Sequence, residues 1–146
     1  MEMKLPLCPL SAVDERINLT EQALSLDSAF SLIRSPDYGA VVLFAGTVRS
    51  LEDGKPIHGI IYEAYTEMAV KEIKKIIAAA EARWQVKLSV QHRLGYVPTG
   101  EISFLVSAAG KHRPEAFEAC RFTVDEAKEK VPIWKAQYLQ EKQGVE

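Results

Sequence analysis

VKLSVQHRLGYVPTGEISFLVSA, residues 86–108, is the stretch on which the fold turns. Val86, Leu88, Val90, His92 and Leu94 fall on one side of an extended chain; Lys87, Ser89, Gln91 and Arg93 fall on the other. GYVPTGE, with Pro98 and Gly100, reads as a turn. The alternation then resumes, with Ile102, Phe104, Val106 and Ala108 set against Ser103, Leu105 and Ser107. Two period-2 strands joined by so short a turn pair antiparallel. An antiparallel sheet with an apolar face needs helices packed on it, which makes the class α+β.

Those helices flank the pair. Thr66 opens one with Ala69, Ile73, Ile76, Ile77, Ala80 and Trp84 on a single stripe. Pro114 suits the first position of another, whose stripe is Phe117, Cys120, Val124, Ala127 and Val131, and Pro132 stops it. Upstream, Ala40–Ala45 is an apolar, β-branched run suited to a strand covered on both faces, and Gly46 marks a bulge or close approach. Ile57–Ala64 is a further strand, and the two are expected to pair as a hairpin across a polar loop that turns at Asp53–Gly54. Ser25 or Asp27 caps a short helix whose apolar face is Phe30 and Ile33, ended by Pro36 and Gly39. Residues 1–24 read as an N-terminal arm with a short edge strand through Arg16–Leu19, and residues 138–146 as a short C-terminal tail. The core order is ββαββα within one domain, residues 1–146.

The bulk numbers exclude several classes. A chain of 146 residues suits one hydrophobic core, and a net charge of -2 gives no general field for nucleic acid or an anionic membrane. No apolar run reaches the roughly 18 residues of a membrane helix, and the N-terminus has no signal-peptide pattern. Two distant cysteines make neither a metal spacing nor a disulfide framework, which points to a reducing cytoplasm. Three scattered histidines predict no metal site, and no phosphate-binding glycine loop or serine elbow is present.

Any anion site must therefore be a local cluster. Lys111, His112 and Arg113 precede a helix N-terminus, which is either an anion pocket or a solvated basic turn. Arg49 follows the apolar strand and either projects into a cleft or into solvent. His92, on an apolar strand face, reads first as a satisfied core histidine. In DEAKEKVPIWK, residues 125–135, Lys128 and Lys130 stand about 200° apart on a helix. Lys128 borders the buried stripe, and Lys130 looks outward. Lys135 lies beyond Pro132, with Ile133 and Trp134 expected to anchor it. A packed lysine beside another cation can act as acid, base or nucleophile; lysines snorkelling at a helix end are the plainer reading.

Five ordered blocks, FAGTVRS, YEAYTEMA, HRLGYVPTGE, HRPEAFEAC and DEAKEKVPIWK, make the chain resemble the MoaE family, the large subunits of molybdopterin synthase, from Gly39 to about Gln137. The resemblance implies an α/β-hammerhead, mainly antiparallel with two main helices on the sheet. It implies a cytoplasmic sulfurtransferase that moves two sulfurs from the thiocarboxylated C-terminus of a small ubiquitin-like MoaD-type subunit to cyclic pyranopterin monophosphate, forming molybdopterin. It implies a homodimer within a heterotetramer, and no cofactor, because the sulfur arrives on the partner. Lys128 and Lys135 match the family's catalytic pair. Thr47, Val48, Arg49, His112, Arg113, Ala136 and Gln137, together with the two lysines, match its substrate-binding positions. Thr47 stands where the family often has a basic residue, and Lys135-Ala136-Gln137 where it often reads Lys-Arg-Glu. The rival readings are a non-catalytic anion-binding module, motivated by those departures, and a nucleic-acid binder, disfavoured by the net charge.

Overall fold

The computed structural model describes residues 13–140, so the first half of the expected arm and the end of the tail lie outside the described residues. A short 3-10 helix, Val13–Arg16, leads into β1 (Ile17–Thr20). The chain continues as α1 (Leu26–Ile33), β2 (Ala40–Thr47), β3 (Leu51–Glu52), β4 (Lys55–Ala64), α2 (Thr66–Trp84), β5 (Lys87–Arg93), β6 (Gly95–Pro98), β7 (Ile102–Gly110), α3 (Arg113–Lys130) and β8 (Ile133–Gln140).

Two sheets share the work. The first runs β1-β5-β7-β2, and the second joins β3, β4 and β6, with β8 also paired to β4. β5 and β7 pair antiparallel, with Ser89 opposite Ser107, as the alternation predicts. Among the described residues the single parallel pair is β1 with β5, which makes Ile17–Thr20 the expected edge strand. The class is α+β.

The main core lies between the first sheet and α2 and α3. Ile73, Ile77, Leu88, Val90, Val106 and Ala119 are fully or almost fully buried there. The second face of β5 and β7 is also closed, against α1. Ser107 hydrogen-bonds Ser89 and reaches the Ala29 carbonyl at 3.5 Å, so two small hydroxyls let α1 approach closely. Gln91 and Lys87 are consequently buried as well. A smaller core, Val48, Ile57, Ile60, Tyr62 and Val97, lies on the second sheet.

Four expectations need correction. β2 and β4 do not form a hairpin: β2 pairs with β7, while β4 pairs with β3, β6 and β8. The Asp53–Gly54 turn closes a tighter hairpin between β3 and β4; both residues have positive φ, 50° and 76°, the twist that a two-residue loop requires. β2 is an edge strand, only partly buried, so it is not covered on both faces. Gly95–Pro98 is a strand, with the turn confined to Thr99 and Gly100. On the helices, Ala29 takes the core position given to Phe30, and Ala116 takes that given to Phe117; both phenylalanines are exposed. Gly46 does mark a bulge, and Ser25 caps α1 by accepting from the Ser28 N–H at 3.2 Å.

A partly buried ion pair ties these layers together. Arg16 Nη1 donates to Glu81 Oε2 and to the Leu88 carbonyl, both at 2.6 Å, and the Leu88 N–H donates to the same carboxylate at 3.1 Å. One carboxylate thereby fixes the end of α2 against the start of β5.

Candidate active site

A cavity of about 360 Å³ opens where the two sheets meet. Every wall comes from an element whose placement has been described. The bulged end of β2 contributes Gly46 and Thr47, and Arg49 follows in the connection to β3. The floor is Tyr62 of β4, His92 of β5 and Phe104 of β7. Lys128 comes from the last turn of α3, and Ile133, Trp134 and Lys135 come from the start of β8.

The helix geometry separates the lysines as the sequence suggests. Lys128 lines the cavity, whereas Lys130 bonds Glu126 Oε1 at 3.1 Å on the outer surface. That contact raises the Lys130 pKa, and it has no role in the cavity. The last bond of the α3 ladder runs from the Val131 N–H to the Ala127 carbonyl, and the helix ends there because Pro132 has no N–H to continue it. The chain then enters β8, which runs on into the first residues of the expected C-terminal tail, 138–140. Lys135 pairs with Tyr62 of β4, next to a register shift between Ile61 and Tyr62. Strand pairing therefore sets the position of Lys135. Ile133 packs on the smaller core, and Trp134, still 37% exposed, stands 4.8 Å from the Tyr65 ring. The Lys135 ammonium lies 5.7 Å from the centre of the Tyr138 ring.

The polar floor is neutral. Burial raises the Tyr62 pKa; the hydrogen bond with Ser103 opposes this and the Glu52 carboxylate reinforces it. Desolvation and Glu52 likewise raise the Tyr138 pKa. His92 is buried, as a core histidine would be, yet it also lines the cavity. Burial, reinforced by Lys128, lowers its pKa to about 4, so it is uncharged at neutral pH. Cys120, the one described cysteine, is buried; burial pushes its thiol up to about 11, which leaves almost no thiolate for nucleophilic chemistry.

Of the residues singled out in the sequence, the cavity gathers Thr47, Arg49, Lys128 and Lys135. Val48 is 3% exposed and packs in the smaller core instead. Ala136 and Gln137 continue β8 on the surface, Gln137 paired with Ile61. His112 and Arg113 stand at the opposite end of α3, about 22 Å from Lys128 at 1.5 Å rise per residue. Glu115 already serves that helix N-terminus, accepting from the His112 N–H at 3.0 Å. Tyr62, His92, Ser103 and Phe104 were missed as site residues because their alternation is that of ordinary sheet packing.

The fold and cavity define an α+β protein with a compact cationic cleft over an aromatic floor, and its described cysteine, Cys120, is unsuited to attack. Residues 19–130 match the family model described as MoaE protein, and the chain belongs to that family. It is 38% identical to the human molybdopterin synthase catalytic subunit, over 97% of this chain and 85% of that one. It is 42% identical to the protein of the same name from Pyrococcus abyssi, over 80% of each. Molybdopterin synthase from Staphylococcus aureus superposes with a TM-score of 0.82 at 28% identity, covering 89% of this chain and 98% of that one. A complex of subunits 1 and 2 of molybdopterin-converting factor from Helicobacter pylori superposes with a TM-score of 0.68 at 26% identity, covering 88% and 91%.

Proposed function

We propose that this chain is the catalytic subunit of a molybdopterin synthase, an enzyme of molybdenum cofactor biosynthesis. It transfers two sulfurs from the thiocarboxylated C-terminus of a small ubiquitin-like subunit to cyclic pyranopterin monophosphate. The observation that carries this reading is the convergence of Arg49, Lys128 and Lys135 on one cavity from a loop, a helix and a strand. A phosphate ester needs a local cationic pocket in a protein of net charge -2, and Arg49 with Thr47 supplies charge and hydroxyl at one wall.

The sulfur nucleophile arrives on the partner, so the chain needs neither a thiolate of its own nor a cofactor, and the raised pKa of Cys120 is compatible with that. Lys128 and Lys135 stabilise the negative charge that develops as sulfur is transferred and carry protons to and from the opening ring. The partner's tail enters beside Lys135, along the exposed part of β8 that carries Ala136 and Gln137.

His112 and Arg113 cannot reach the cavity of their own chain, because α3 holds them at its far end. Their role as phosphate ligands therefore implies a second copy of this chain, as in the homodimer at the centre of a heterotetramer. The assembly works in the cytoplasm; no helix of the described residues is long and apolar enough to cross a membrane.

The test mixes the protein with a thiocarboxylated small subunit and cyclic pyranopterin monophosphate and assays dithiolene product. Wild type forms product, and Lys128→Ala with Lys135→Ala loses at least two orders of magnitude in rate. No product from the wild type would overturn the function. Full activity in the double variant would overturn the lysine roles alone.

A further inference from the structure

The cations of the cavity account for the phosphate and for the charge of the reaction. They do not account for His92, a polar ring built into the floor among aromatics. Its Nδ1 lies 2.7 Å from the Arg93 carbonyl oxygen. That oxygen can only accept, so Nδ1 carries the hydrogen and Nε2 of the neutral ring keeps a lone pair. The ring has little room to turn: Tyr62 meets it edge-on at 4.9 Å and Phe104 lies nearly parallel at 5.5 Å. Turning it over would also exchange the Arg93 bond for a buried, unpaired N–H.

Nε2 itself has no hydrogen-bond partner among the described residues. Yet the one side-chain nitrogen or oxygen there that is both sealed from solvent and unpartnered belongs to Gln91. Nε2 is therefore not sealed, and the space it opens on is the cavity that His92 lines. Arg49, Lys128 and Lys135 can only donate, and the Thr47, Tyr62 and Ser103 hydroxyls each bring a hydrogen as well as lone pairs. His92 is thus a fixed acceptor among donors.

We infer that His92 is a substrate-positioning residue of this site: its Nε2 accepts a hydrogen bond from an N–H of the bound pterin ring and so sets how the ring lies on the floor. This rests on the sulfurtransferase reading and adds what the cations cannot supply, recognition of the ring apart from its phosphate. The neutral state of His92, favoured by burial and by Lys128, keeps the lone pair available throughout the physiological range.

Two variants separate this role from a structural one. His92→Asn places an amide N–H near Nδ1, keeping the bond to Arg93 while removing the acceptor from the cavity. His92→Gln places an amide oxygen near Nε2, keeping the acceptor and losing the Arg93 bond. The expectation is a KM for cyclic pyranopterin monophosphate raised about tenfold or more in His92→Asn, the loss of one good hydrogen bond, and within about threefold of wild type in His92→Gln. An unchanged KM in folded His92→Asn, or equal losses in both variants, would overturn the inference while leaving the function intact. Wild type that neither binds the pterin nor turns it over would overturn the function instead. If either variant fails to fold, nitrogen-15 NMR of histidine-labelled wild type decides. Titration with the pterin in the absence of the small subunit shifts the bare Nε2 resonance of His92 in the direction of an accepted hydrogen bond; an unmoved resonance would overturn the inference.

Discussion

Lowering the pH tests how deeply His92 is built into the fold, independently of any ligand. Its folded pKa is about 4 against an ordinary value of 6.5, because burial, and then the Lys128 charge, disfavour the cation. Below 6.5 the unfolded chain takes a proton that the folded chain refuses until about 4. The stability associated with a neutral His92 is therefore fully present above 6.5, is lost as the pH falls through that window, and changes no further below it. At about 1.4 kcal/mol per pH unit the gap corresponds to roughly 3 kcal/mol. Carboxylates titrate in part of the same range, so the quantity to measure is a difference. Urea unfolding of wild type and His92→Gln, from pH 7.5 to 4, isolates it. The wild type loses about 3 kcal/mol more than the variant across the window, an order-of-magnitude figure. Parallel pH profiles for the two proteins would refute the buried, neutral assignment, and with it the lone pair on which the positioning role depends.

Other expectations follow from single contacts. Glu81→Ala removes a carboxylate that accepts from both Arg16 and the Leu88 N–H, costing roughly 2 kcal/mol in chemical denaturation; a loss under about 1 kcal/mol would count against a structural role for that pair. Gln85 ends α2 with φ 51°, so Gln85→Gly raises stability by about 1 kcal/mol, visible as a higher Tm. At Gly59 a Cβ would run into the Tyr96 ring and stand 2.9 Å from the Val97 carbonyl oxygen. Gly59→Ala therefore costs about 2 kcal/mol by displacing β6 from β4, and unchanged denaturation would contradict the packing.

The helices were legible because each hides a stripe. α2 has Ala69, Ile73, Ile76, Ile77 and Ala80 buried, as the sequence spacing demands. The β5–β7 pair was legible for the same reason at period 2. Strand partnership was not. β2 and β4 are neighbours in sequence, and a hairpin is the cheapest loop closure, but Asp53–Gly54 spends that closure on the two-residue strand β3. β6 was hidden because Gly95, Pro98 and Gly100 are turn residues in most settings. β8 was hidden because IWKAQYLQ is mostly exposed and presents no apolar period.

The site divides along the same line. Arg49, Lys128 and Lys135 were readable because cations beside strand and helix ends lack a packing explanation. Tyr62, His92 and Phe104 looked like core, and much of each is core. The place of His112 and Arg113 depends on which end of a rigid helix faces which neighbour, a question of assembly that one chain's sequence does not contain.

The pairing of β8 with β4 makes the second lysine a matter of counting. A strand offers only two sides, and the number of residues between Pro132 and Lys135 decides which one the ammonium takes. Deleting one residue there would leave every backbone group able to find a partner after a slip of one place, yet would turn the lysine from the cavity to the opposite surface. Such a protein would lose the Lys135 charge from the cavity together with the Ile133 or Trp134 contact that the deletion removes. Insertions and deletions at this corner are thus a more severe hazard to the enzyme than most substitutions.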